Sequence, residues 1–513
     1  MCVMDGSAVV RAMDGRWLAE WAAREGGASR GLDGVGRVAR VAYDSRKAGP
    51  GDVFFALAGA KADGAAFAAE AVRRGAVAVV HEGGLWDGGA PGGAGEIAVG
   101  ERSARAAMGR LAALCEGEPS RRVRVAGITG TNGKTTTAYL VRGLLRGCGV
   151  RAGLIGTVVY DTGAREREAS RTTPESPDIQ RLLAEAAEAG TEAVAMEVSS
   201  QGLAAERASG VRFAATAFTN LTGDHLDFHG TMEAYFAAKR RLFAEFGAGA
   251  PAAVNADDPW GRRLAGEIRA AGGEALTFGV GEASRADVRA EGARMGADGT
   301  VFDWVTPWGR WNGVRTGLAG GYNLSNALAA LSLGRLLGAE GGALAAALEG
   351  AKGAPGRLER VADARGGRRI YVDYAHTDDA LENVLSCVRA TCGAGRLLCV
   401  FGCGGNRDKG KRPRMGEVAS RLADTAVVTS DNPRDEEPEA IIRDILAGIP
   451  EGRRGRTRVE ADRRKAIGLA LAEARPGDTV VIAGKGHEKG QTAKGVTLPF
   501  DDVAVAREWV DSI

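Results

Sequence analysis

Gly127-Ile128-Thr129-Gly130-Thr131-Asn132-Gly133-Lys134-Thr135-Thr136 follows a β-rich run over 123–126 and precedes a helical pattern that continues to Leu145. Strand, glycine-rich loop and helix in that order set backbone N–H groups and a helix N-terminus around an anion. Lys134 neutralises phosphate charge, and the Thr135 hydroxyl is available to Mg²⁺. The strict phosphate-loop spacing wants glycine at 128 and finds Ile128, so the loop is a variant. A glycine-rich turn with an incidental lysine is the plain alternative. It leaves unexplained why glycines, lysine and threonine all fall where phosphate geometry needs them.

Outward from the loop, short β-rich runs alternate with longer Ala/Leu-rich helical runs, the pattern of α/β domains with largely parallel sheets. At roughly 150 residues per domain, 513 residues predict about three domains. One boundary falls at Glu116-Gly117-Glu118-Pro119-Ser120, between the helical run 104–115 and the strand-like 123–126. The next falls near Lys352-Gly353-Ala354-Pro355-Gly356-Arg357, after a helical run over 327–348 and before a strand over 369–373. The expected domains are therefore 1–120, 121–352 and 353–513.

With 67 Lys and Arg against 65 Asp and Glu, the formal net charge is +2, too balanced for a chain whose main task is to coat nucleic acid or an anionic membrane. The seven cysteines (Cys2, Cys115, Cys148, Cys387, Cys392, Cys399, Cys403) are odd in number and form no CxxC pair. Neither a disulfide framework nor a structural zinc site is supported, and a reducing cytoplasm fits. Asp5, Arg11 and Asp14 interrupt any signal-peptide core, and the uncharged stretch 316–334 carries four glycines and four Asn or Ser, so no membrane segment is expected.

Several polar segments carry candidate chemistry. Ala193-Val194-Ala195-Met196-Glu197 reads as a buried strand ending in a carboxylate, which near a phosphate loop can hold Mg²⁺ or can simply be solvated. His225 and His229 stand four apart without the glutamate of a zinc-protease motif, and a structural role competes for each. Lys239, isolated in the helical run 234–239, reads by itself as a snorkelling surface residue. Three later strand-like runs end in charged loops: 402–409 with Arg407, 431–434 with Asp431, Asn432, Pro433 and Arg434, and 484–488 with Gly484 and Glu488. Carboxyl ends of parallel strands share one edge. There Arg407 and Arg434 can fork carboxylates and Glu488 can hold an ammonium, as an amino acid requires.

Gly130-Thr131-Asn132-Gly133-Lys134-Thr135-Thr136 resembles the ATP loop of the Mur ligases, the ATP-dependent amide ligases that build the peptidoglycan stem peptide. The likeness extends from Asp44 to Glu488. It implies an N-terminal UDP-binding α/β domain, a central P-loop ATPase domain with a mainly parallel sheet, and a C-terminal Rossmann-like domain that takes the amino acid. It implies ATP contacts at Gly130, Thr131, Asn132, Gly133, Lys134, Thr135, Thr136, Asn323, Asn326 and Arg357, although a helix cap explains one of the two asparagines as well. By the same resemblance Ser45, Thr172, Thr173, Ser199 and Arg207 hold a UDP-muramoyl dipeptide.

Thr135, Glu197, His225 and Lys239 are expected at Mg²⁺, with Lys239 carrying a CO₂-derived carbamate, and Lys134, Lys239, His225 and Glu197 are the catalytic set. Asp431-Asn432-Pro433-Arg434 matches the family's diaminopimelate-selecting tetrad, joined by Arg407, Gly484 and Glu488. Lysine lacks the far carboxylate that Arg434 would pair, which favours meso-2,6-diaminopimelate. Arg171, Ala205, Asp378 and Lys489-Gly490 depart from the family's usual residues. The expected protein is a cytoplasmic monomer with small-molecule partners and no nucleic acid or membrane. The alternatives are the same ligase using L-lysine, a folylpolyglutamate-synthetase-like ligase, or a noncatalytic nucleotide-responsive module.

Overall fold

Val53-Phe54-Phe55 and Ala78-Val79-Val80 are continuous apolar runs, and in a strand successive side chains take opposite faces. Val53, Phe55, Ala78 and Val80 accordingly join Leu18, Trp21, Ile97 and Leu111 in one core, while Phe54 and Val79 join Ala68 and Ala71 in another. The computed structural model describes residues 13–59, 62–100, 103–280, 284–296, 299–363 and 366–512; Cys2, Asp5 and Arg11 lie outside them. The N-terminal sheet runs Ala28–Arg30, Gly95–Ala98, Ala78–His81, Val53–Phe55, Val41–Ala42, with only the first pairing antiparallel.

The chain forms two compact units. One draws on Met1–Gly127, Arg151–Thr216 and Ala237–Ala250, the other on Ile128–Val150, Ala217–Phe236 and Pro251–Ile513. Strands Arg124–Thr129 and Phe213–Phe218 contribute their first residues to one unit and their last to the other. In the first unit the order of the large sheet is Phe213–Phe218, Arg124–Thr129, Ala193–Glu197, Ala152–Ile155, Val159–Asp161, Glu166–Glu168. In the second it is Gly309–Thr316, Gly299–Thr306, Val288–Gly296, Ala275–Val280, Ala252–Asn255, then the same two shared strands. Pairings such as Ala193–Glu197 with Ala152–Ile155 and Ala252–Asn255 with Ala275–Val280 are parallel, and antiparallel strands occupy both margins.

The second unit also holds a six-stranded sheet in the order Glu359–Val361, Arg369–Asp373, Thr479–Ala483, Leu397–Phe401, Thr425–Val428, Thr457–Val459, parallel after its first pairing. Tyr371, Cys399, Phe401, Val428 and Val481 face a core with Leu385, Met415 and Ile445. Ile370, Leu398, Val400, Val427 and Val480 face another with Ile467, Leu471 and Val510. Helices thus cover both faces, and the loops at the carboxyl ends of the strands are left to carry chemistry. The single helical run expected over 327–348 is two helices, Gly321–Leu336 and Gly341–Gly350, because Gly338 at φ 92° ends the first. No helix among the described residues is long and apolar enough to cross a membrane, and the six described cysteines are free.

Candidate functional site

The loop strand Arg124–Thr129 delivers the chain to Gly130, and the loop helix Lys134–Gly147 starts four residues later. Gly130 at φ 152° and Gly133 at φ 86° leave no room for a side chain: an added Cβ would lie 1.8 Å from Thr219 Oγ1 in one case and 2.3 Å from Asn326 Oδ1 in the other. Asn220 braces the loop. Its carbonyl accepts from the Thr131 N–H and its Oδ1 from the Asn132 N–H, each at 2.9 Å. Those two N–H groups are therefore engaged within the protein, in contrast to the expected run of amides open to an anion. Lys134 Nζ donates to the carbonyls of Gly130 at 2.9 Å and Thr131 at 2.8 Å, while Thr135 and Thr136 are buried in the first helical turn.

Asn323 and Asn326 lie inside the first turns of Gly321–Leu336, and Gly320 is that helix's N-cap, so neither asparagine is a cap. Asn323 Nδ2 donates back to the Ala319 carbonyl at 2.9 Å, and Asn326 Nδ2 to Asn323 Oδ1 at 3.3 Å. Asp379, which sequence reasoning passed over, accepts from Asn132 Nδ2 and from Thr222 Oγ1 at 3.1 and 3.0 Å. His225 is exposed, with a left-handed backbone at φ 53°, and its N–H donates to Asp224 Oδ1 at 2.8 Å. His229 stacks on Tyr235 with ring centroids 4.9 Å apart, and the Tyr235 hydroxyl accepts from Thr131 Oγ1 at 3.2 Å. The stacking supports a structural role for His229.

In the first unit Glu197 is fully buried and is held by Thr157, whose N–H donates to Oε1 at 2.7 Å and whose hydroxyl donates to Oε2 at 3.0 Å. Thr157 Oγ1 meets Thr172 Oγ1 at 3.1 Å, Thr173 Oγ1 meets Ser199 Oγ at 3.1 Å, and Thr173 also donates to the Glu197 carbonyl. Four expected residues, Thr172, Thr173, Glu197 and Ser199, are thus linked in one run of contacts, in which Thr157, announced by nothing in the local pattern, joins Thr172 to Glu197. Arg207 donates to Glu175 and to the Thr173 carbonyl. Glu175 also receives Arg105 and Arg171, and burial depresses the Arg207 guanidinium below its ordinary value. Ser45 is buried and bonded instead to Glu70, at 2.7 Å. Lys239 is 1% exposed, which overturns the snorkelling alternative.

At the carboxyl ends of the six-stranded sheet, Asn432 Nδ2 donates to Glu488 Oε2 at 2.8 Å, and the fully buried Lys485 bridges Glu488 Oε2 at 3.1 Å and Asn432 Oδ1 at 3.2 Å. Glu488, expected to take a substrate ammonium, already holds one from the protein. Asp431 Oδ1 accepts its neighbour's N–H at 2.6 Å, and Gly484 at φ 118° lies so close to Asp431 Oδ2 that a Cβ would stand 2.6 Å from it. Asp431 Oδ2 itself is buried without a hydrogen-bond partner among the described residues. Arg434 is half-buried in a left-handed backbone and donates to the Gly405 carbonyl at 2.8 Å; Arg407 is exposed. Arg357 lies over the Tyr374 ring at 4.5 Å, and that ring is 5.2 Å from His487. Burial first, then the charges of Lys411 and Arg357 respectively, push His376 and His487 down to about 4, so both are neutral at neutral pH.

Among the described residues no three His, Cys, Asp or Glu side chains stand together as a metal cluster. A hard cation such as Mg²⁺ takes few carboxylates and completes its shell with hydroxyl, phosphate and water oxygens. The Thr135 hydroxyl in the second unit and the Glu197 carboxylate in the first are each, taken singly, oxygen donors of the kind such a cation accepts.

The loop, its helix and the doubly covered parallel sheets define a nucleotide-dependent α/β enzyme. The Mur ligase middle domain matches residues 128–334, the Mur ligase glutamate ligase domain matches 356–486, and the Mur ligase family catalytic domain matches 37–113. The chain belongs to the Mur ligase family and is an ATP-dependent ligase that forms amide bonds. It is 45% identical to the UDP-N-acetylmuramoyl-L-alanyl-D-glutamate--2,6-diaminopimelate ligase of Gloeobacter violaceus over 96% of this chain and 97% of that one. It is 44% identical to the protein of the same name from Streptomyces avermitilis over 96% of each chain. A solved structure of a ligase of that name superposes with a TM-score of 0.65 at 33% identity, covering 93% of this chain and 95% of that one. The folylpolyglutamate synthase of Mycobacterium tuberculosis, at 18% identity and a TM-score of 0.59, covers 73% of this chain and 90% of that one and shares the fold.

Proposed function

We propose that this chain joins meso-2,6-diaminopimelate to UDP-N-acetylmuramoyl-L-alanyl-D-glutamate at the expense of ATP, in three domains spanning 1–120, 121–352 and 353–513. The observation that carries the choice of amine is the tetrad: Arg434 stands beside a partly buried Asn432–Glu488–Lys485 network, a setting with both signs of charge for an amino acid bearing a second carboxylate. Arg434 and Arg407 take carboxylates, and Asp431, Pro433, Gly484 and Glu488 shape the rest of that site. Ser45, Thr172, Thr173, Ser199 and Arg207 hold the muramoyl dipeptide. Gly130 to Thr136, Asn323, Asn326 and Arg357 hold ATP.

The reaction is a sequence of two displacements. An oxygen of the glutamyl carboxylate takes the γ-phosphoryl group as its bond to ADP breaks, and Lys134 offsets the charge that gathers there. The amine nitrogen then attacks the acyl carbon, phosphate leaves, and the nitrogen loses a proton to give the amide. Thr135, Glu197, His225 and a carbamate on Lys239 are the groups that would hold Mg²⁺, which neutralises phosphate charge when bound. The chain is read as a monomer acting on small molecules in the cytoplasm; free cysteines support the reducing compartment, and the balanced charge supports the reading without nucleic acid or membrane.

The test is phosphate release by the purified chain with ATP, Mg²⁺, bicarbonate and UDP-muramoyl dipeptide. Release should depend on diaminopimelate and be far weaker with L-lysine, and Arg434→Ala should erode that preference. Absence of amine-dependent release would leave a noncatalytic nucleotide-responsive module, and lysine-dependent release would reassign the substrate.

A further inference from the structure

The strands Gly490–Ala493 and Val496–Pro499 form a hairpin that turns through Lys494 and Gly495, both at positive φ (49° and 77°), as a type I′ turn requires. Its register pairs Ala493 with Val496, Thr492 with Thr497 and Gln491 with Leu498. Hydrogen-bonded and non-hydrogen-bonded pairs alternate from the turn, so Thr492 falls at a non-hydrogen-bonded position and its N–H and C=O point away from the partner strand. Both are used on the tetrad. The Thr492 N–H donates to Asn432 Oδ1 at 2.9 Å, and the Arg434 N–H donates to the Thr492 carbonyl at 3.0 Å. The Lys494 N–H donates to the Arg434 carbonyl at 2.6 Å. Gln491 Nε2 reaches the Asp431 carbonyl at 2.7 Å and Ser430 Oγ at 3.2 Å.

Two features of the tetrad depend on this hold. Arg434 has φ of 54°, a left-handed backbone that a non-glycine residue keeps only where its surroundings impose it, and hairpin bonds fix both its N–H and its C=O. Asn432 Oδ1 is spent on the Thr492 N–H and on Lys485 Nζ, which fixes the amide so that Nδ2 meets Glu488. Without the hairpin the Asn432 amide would be held by Lys485 and Glu488 alone, and the Arg434 backbone could relax to negative φ and carry its guanidinium elsewhere.

We propose that Gln491 and Thr492 are positioning residues for the choice of amine: through them the hairpin sets the direction of Arg434 and of the Asn432 amide, and thereby the preference for an amino acid with a second carboxylate. The inference rests on the proposed diaminopimelate ligation. Its test is steady-state kinetics of the full chain as Gln491→Ala, Gln491→Glu and Thr492→Pro, with diaminopimelate and with L-lysine. Gln491→Glu keeps the shape and loses the donor. Proline at 492 removes an N–H that the hairpin ladder does not use, together with the exposed hydroxyl contact to Thr497.

Each variant should lower the diaminopimelate-to-lysine ratio of kcat/KM about tenfold, the scale of one hydrogen bond, through the KM for diaminopimelate. The KM values for ATP and muramoyl dipeptide and the unfolding midpoint should stay at wild-type values. An unchanged ratio overturns the proposal, as does a parallel rise of every KM with a lowered midpoint, which marks a merely structural hairpin. Wild-type protein without diaminopimelate-dependent turnover overturns the ligation and this inference together.

Discussion

At 1% exposure the Lys239 side chain has been taken out of water, so whatever charge it carries must be met by the groups around it. A neutral amine can attack CO₂, releasing a proton and leaving a carboxylate-like anion on a long stem, suited to a cation where an ammonium would repel it. Lys239→Ala should therefore lower ADP formation by about 100-fold, the scale of losing a charged ligand, and acetate or formate should restore part of the rate by supplying the missing oxygens. Unchanged turnover in that variant would refute the carbamate. The sequence around Lys239 did not reveal its burial, because a lysine in an Ala-rich helix is compatible with either face and only tertiary packing chooses. The strand that ends at Glu197 was legible as a continuous apolar run, while the pattern left the carboxylate itself open between a cation and solvent. Thr157 was not, since it meets Glu197 from a different strand end.

Among elements, the phosphate loop was the most legible because its determinants are local: glycines where the backbone must turn left-handed, and a helix pattern immediately after. Gly133 shows how tightly that works. At φ 86°, and with an added Cβ 2.3 Å from Asn326 Oδ1, alanine there meets both backbone strain and a side chain already hydrogen-bonded in the buried helix. Gly133→Ala should weaken ADP binding by at least about tenfold, given roughly 1 kcal/mol of left-handed strain plus the clash, with the far-ultraviolet circular dichroism unchanged. Titration calorimetry decides: affinity within twofold of wild type would mean that the loop does not cradle the nucleotide. The hairpin over 490–499 was illegible by contrast. Each of its bonds to the tetrad has a main-chain group on at least one side, between segments about 60 residues apart, and a main-chain partner leaves no trace in side-chain pattern.

For the molecule as a whole, Lys134 and Arg434 belong to the same compact unit although 300 positions separate them in the chain. A ligand that binds only the folded form stabilises it by about 2.7 kcal/mol at one hundred times its dissociation constant, and in a chain with more than one cooperative unit it protects the unit that holds it. Mg·ADP and diaminopimelate should therefore raise the midpoint of one and the same thermal transition. Lys134→Met should abolish the nucleotide shift and keep the diaminopimelate shift, and Arg434→Ala should do the reverse. Differential scanning calorimetry of wild type and both variants reads this directly. Protection by diaminopimelate that survives Arg434→Ala undiminished would remove that guanidinium from amine recognition, and a nucleotide shift that survives Lys134→Met would remove the lysine from the phosphate site.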